Sequence, residues 1–75
     1  MSKKREIAKE LRLIEEEIKS LEIKRSRSQA ALIEALISKT EPNTDDIAYF
    51  RAFTAQIDVK RDQLKKKTRE LEDLI

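Results

Sequence analysis

Ser38-Lys39-Thr40-Glu41-Pro42-Asn43-Thr44-Asp45-Asp46 is the one stretch of the chain that carries turn chemistry, and its reading decides the fold. Pro42 is the only proline, and glycine is absent throughout. The pyrrolidine ring fixes its own φ and pushes Glu41 out of the helical region, so a helix arriving from the N-terminal side ends here. Asn43 or Thr44 can accept from the free N–H groups of a new helix. Asp45 and Asp46 then fall in its first turn, where carboxylates suit the helix dipole. The expected elements are a helix over about 3–38, a loop over about 39–43 and a helix over about 44–74, forming one hairpin across 1–75.

Outward from the loop, both arms show apolar residues at alternating steps of three and four, the pattern of a coiled-coil seam. The first arm carries Ile7, Leu11, Ile14, Ile18, Leu21, Arg25, Ser28, Leu32 and Ala35; the second carries Ile47, Phe50, Thr54, Ile57, Arg61, Leu64, Thr68, Leu71 and Ile75. Folding the chain back with its turn centred at Glu41 sets Ile7 against Ile75, Leu11 against Leu71, Ile18 against Leu64, Leu32 against Phe50 and Ala35 against Ile47. The same register brings Glu17 to Lys67 on one flank and Glu15 to Lys65 on the other, while Lys24 falls near Lys60 and Glu22 near Asp58. Its middle is polar: Leu21 faces Arg61, Arg25 faces Ile57 and Ser28 faces Thr54. Such residues cost stability but fix register. Arg25 and Arg61 are expected to find Asp58, Asp62 or Glu22 locally, with their stems covering apolar surface.

Composition narrows the alternatives. A chain of 75 residues buries a thin core, and small domains of this kind lean on disulfides, metals or association. There is no Cys and no His, so disulfides and the usual zinc and iron sites are excluded, and the carboxylates form no evident cage. Association is what remains. Charged residues reach 43%, which would suit disorder, but the regular apolar spacing opposes it. The fold class is therefore all-α: an antiparallel, coiled-coil-like two-helix hairpin, expected to complete a helical bundle by dimerisation or with a partner. No signal-peptide pattern opens the chain, and its most apolar run, Ala30 to Ile37, is too short to span a bilayer.

A hairpin needs one stripe per helix, and this sequence has more. Outside the seam lie Ile23, Ala30, Ile33 and Ile37 on the first helix, and Ala48, Ala52, Ala55 and Val59 on the second, with Tyr49 and Phe53 nearby. A helix that is apolar on several sides is buried on several sides, so these ten residues are the expected partner interface. Alanine alone would signify only good helix propensity, but the large aliphatics need another account. The expected function is a protein–protein interaction module: a small chaperone, adaptor or assembly factor in the cytoplasm that packs on itself or on another helical protein. An alternative is a small RNA- or DNA-binding regulator, a four-helix-bundle dimer whose belt of Lys24, Arg25, Arg27, Lys60 and Arg61 contacts phosphates. Net charge is only +2, and no stacking aromatics lie near that belt. No enzyme is expected. Without His, Cys or Gly the commonest bases, thiol nucleophiles and phosphate loops are missing, so neither cofactor, metal nor small-molecule substrate is implied. In architecture the hairpin resembles the plasmid RNA-binding proteins that dimerise into four-helix bundles, and the helical-hairpin co-chaperones of type III secretion; neither resemblance reaches specific residues.

Overall fold

The computed structural model describes residues 2–75; Met1 lies outside them. Two helices, α1 (Lys3–Ile37) and α2 (Thr44–Asp73), pack antiparallel along a body of 56 × 16 × 14 Å. The architecture is the expected all-α hairpin.

Each helix begins on a side-chain cap. The Ser2 hydroxyl accepts from the Arg5 N–H at 3.2 Å, and Asn43 accepts from the Asp45 N–H at 2.8 Å. Asn43 therefore caps α2 in preference to Thr44, with Asp45 and Asp46 following in the first turn.

The end of α1 differs from the expectation. Pro42 does not stop it; the helix is over at Ile37, with Ser38 as its cap. Lys39 then turns left-handed, with φ 55°. Its N–H donates to the Leu36 carbonyl at 3.2 Å, and the Thr40 N–H donates to the Ala35 carbonyl at 3.0 Å. These two bonds are the closing pattern normally built on a glycine. The Thr40 hydroxyl donates to the same carbonyl at 3.4 Å. The chain thus reverses at Lys39, before Pro42, and residues 40–43 run on as a non-helical link.

That early reversal changes the register. Ile57 clusters with Ile14 and Ile18, and Leu21 and Leu64 pack against the same cluster. Ile57 was expected opposite Arg25, so α2 lies about one helical turn nearer the start of α1 than a turn centred at Glu41 would place it. The flanks agree. Glu17 pairs with Lys60, and Lys67 pairs with Glu10 at 2.7 Å, in place of the expected Glu17–Lys67 contact. Among the described residues no ion pair joins Glu15 to Lys65, and none is made by Arg25 or Arg61.

The seam of α1 survives whole: all nine of its positions are buried or half-buried. On α2 two positions fail. Arg61 is exposed and the neighbouring Lys60 is half-buried in its place, because Lys60 lies on the flank that meets Glu17. Ile75 lies beyond the helix and is almost fully exposed. Leu74 takes its expected place near Ile7, together with Lys3, Glu70 and Asp73. The core is thin: among the described residues Ile7, Ile14, Ile18 and Ile57 are its buried apolar residues, and only Ile57 is completely enclosed.

Candidate interaction surface

A helix with a heptad seam turns its seventh-residue repeats to a constant side. Ile23, Ala30 and Ile37 recur every seven residues and lie opposite the α1 seam, with Ser26 and Ile33 beside them. The structure leaves this stripe in solvent. Ile23 is 58% exposed, Ile33 48% and Ile37 71%. On α2 the far side carries Ala48, Ala52, Ala55 and Val59, all exposed.

The two stripes look away from each other, because each is opposite a seam and the seams face inward. They line the two outer edges of the hairpin and do not merge into one patch. Tyr49 and Phe53 form a third element on a flank, their rings 6.3 Å apart and inclined by 22°. Phe53 is half-buried. Nine of the ten residues singled out from sequence are therefore exposed, and Phe53 belongs partly to the hairpin itself. An open groove beside the α2 stripe is lined by Leu21, Ala55, Gln56, Val59 and Lys60.

Three large exposed residues lie outside the stripes read from sequence: Leu36, Leu13 and, least exposed, Leu74 beside Ile7. Leu36, 71% exposed, lies one turn beyond Ile33 and widens the α1 stripe. Its three-residue step from Ile33 was the available signal. Leu13, also exposed, stands alone among Lys9, Arg12 and Glu16, and nothing in the pattern marks it.

The basic belt is weaker than its composition suggests. Lys24, Arg27 and Arg61 are exposed, but Arg25 is half-buried in the seam and Lys60 is paired with Glu17. Further down the same flank, Lys67 donates to Glu10 and also to Glu70 at 3.4 Å. The Glu10 hydrogen bond is the main reason its pKa is raised, with Glu70 adding and partial desolvation opposing. A raised lysine contributes stability below the ordinary lysine value of 10.5 and loses it as pH climbs through the folded value, so this contribution is intact at neutral pH.

Within the seam the polar layer is partly unsatisfied. Thr68 donates its hydroxyl to the Leu64 carbonyl at 2.7 Å, whereas the Thr54 hydroxyl is buried with no partner among the described residues. An orphaned hydroxyl costs about 1–3 kcal/mol, which further weakens an already thin core.

Among the described residues no group of carboxylates is close enough to hold a metal ion, and no helix is long and apolar enough to cross a membrane. No family model, curated protein or solved structure matches the chain at a significant level.

Proposed function

We propose that this chain is a non-catalytic protein–protein interaction module, a small chaperone, adaptor or assembly factor acting in the cytoplasm on a helical partner. One observation carries the reading. Ile23, Ile33, Leu36, Ile37, Tyr49 and Val59 are large, roughly half or more exposed, and gathered in the loop-proximal half of a hairpin whose own seam is already filled. Apolar side chains left outside a completed seam lower their free energy when another helix covers them, by about 25 cal/mol for each Å² removed from water. In the terminal half the outer face of α1 carries Arg5, Lys9, Arg12, Glu16 and Lys19, and the large exposed apolar residues, Leu13, Leu74 and Ile75, form no stripe of helical spacing.

The test separates association from folding. Ile33→Asp and Ala52→Glu place a charge on the outer stripes, where it stays hydrated in the free hairpin but would be buried unpaired in a complex, at a cost of several kcal/mol. Both variants are expected to keep wild-type helicity by circular dichroism; Ile33→Asp is expected to lose capture from host lysate of a partner seated on the α1 stripe, and Ala52→Glu of one seated on the α2 stripe. Leu64→Asp, which strikes the core, is expected to lose helicity as well. Retained capture by both surface variants would overturn the reading. Nuclease-sensitive capture, or tight RNA binding that survives moderate salt, would instead favour a nucleic-acid regulator working through the exposed Lys24, Arg27 and Arg61.

A further inference from the structure

Resting on the interaction reading above, we propose that the outer face of α1 pairs antiparallel with the same face of a second copy of this chain, in the one register that sets Arg27 against Glu34 of the second copy in both directions. The stripe Ile23, Ser26, Ala30, Ile33, Ile37 has the three-four spacing of a second seam. In a coiled coil the residues flanking a seam choose partner and register. On one flank of this outer seam the charged residues are Arg27 and Glu34, one heptad apart and of opposite sign. Both are exposed, and neither forms an ion pair among the described residues. Two helical turns separate them, roughly 10 Å along the axis, so they do not neutralise each other within one hairpin.

An antiparallel copy resolves this. With Ala30 beside Ile33 of the second copy, and Ile37 beside its Ser26, Arg27 reaches Glu34 across the twofold axis twice. Sliding by one heptad in either direction brings Arg27 onto Arg27 or Glu34 onto Glu34. The charges therefore select one register of the three that keep the aliphatics in contact. A parallel pairing is opposed by the same outer face further along. Arg5, Lys9, Arg12 and Lys19 continue the stripe towards the N-terminus and would each meet their own copies. Antiparallel pairing sends them past the tip of the second hairpin, leaving only the apolar segment in contact.

Such a dimer overlaps at the loop ends over about 17 residues, roughly 25 Å of helix. Two bodies 56 Å long then form a particle about 85 Å long, whereas full overlap would give one little longer than a single hairpin.

The experiment uses the whole chain. Sedimentation equilibrium is run on wild type, on Arg27→Glu, on Glu34→Arg and on the double reversal R27E/E34R, with helicity monitored throughout. Wild type is expected to dimerise, with a small-angle scattering length of about 85 Å. Each single reversal replaces two attractions by two repulsions and is expected to weaken the dimer by about tenfold or more. The double reversal restores both pairs and is expected to return to within a few-fold of wild type. Unchanged dimerisation in the single variants, or a double variant no better than the singles, overturns the pairing. A wild-type monomer at all concentrations overturns it too; if Ile33→Asp then still abolishes capture of a host protein, the interaction reading stands with a different occupant.

Discussion

Lys39 sits at φ 55°, in the left-handed region where the Cβ atom crowds the following carbonyl oxygen. Glycine would occupy that place without penalty, and a glycine there would have announced the helix end from sequence alone. In a chain with no glycine the position is silent: Ser38-Lys39 reads as ordinary helix continuing towards Pro42, which is why the break was legible but its chemistry was assigned to the wrong residue. The strain suggests an improvement. Lys39→Gly is expected to stabilise the hairpin by about 1 kcal/mol, the cost of the left-handed side chain less the extra freedom of glycine in the unfolded chain. Thermal unfolding followed by circular dichroism should show a midpoint higher by roughly 4–8 °C. A Lys39→Val variant, β-branched at the same φ, should move the opposite way; equal midpoints for both would show that the turn does not hold Lys39 left-handed in solution.

At the scale of the helices, the faces were readable and the register was not. A three-four repeat states which side of each helix turns inward, so all nine α1 seam positions and both outer stripes follow from spacing alone. It says little about sliding. Moving α2 by one turn still sets Ile against Leu, and only the geometry of the loop chooses between the two arrangements. That geometry lay in Lys39. The flank charges could have arbitrated, since the observed register joins Glu10 to Lys67 and Glu17 to Lys60, whereas the expected one, although it paired Glu17 with Lys67 and Glu15 with Lys65, also set Lys24 near Lys60 and Glu22 near Asp58. Exposed pairs are worth at most about 1 kcal/mol each, so the loop leads and the charges follow. The structure predicts that cysteines placed at 10 and 67 are bridged by a short bis-maleimide faster than cysteines at 17 and 67. The reverse order of rates would restore the register centred on Glu41. Lysine chemistry offers a weaker check: the Lys67 contribution should vanish in strongly alkaline buffer and should already be missing from a Lys67→Met variant.

For the whole molecule, stability and association are one question. Among the described residues the hairpin encloses a single side chain completely, Ile57, and sets a polar layer containing buried Ser28 and the unpartnered Thr54 hydroxyl in the same seam. A core this small supplies only about 3–5 kcal/mol, while removing a buried isoleucine side chain to alanine costs about 2–5 kcal/mol. Ile57→Ala should therefore consume most of the stability of an isolated hairpin. If a second helix covers the outer stripes, its binding adds to the stability of the folded form by mass action, and the unfolding midpoint becomes concentration-dependent. Two measurements on Ile57→Ala separate the cases. Helicity at low micromolar concentration should be largely lost, and it should recover as concentration rises towards the millimolar range, because assembly refolds what the core alone no longer holds. Adding Ile33→Asp to Ile57→Ala should remove that recovery, since Ile33 lies on the outer stripe and takes no part in the core cluster. A helicity independent of concentration in Ile57→Ala would mean that nothing covers the stripe in a pure solution of this chain, and the apolar edge of α1 would then have to be explained by a partner of another sequence.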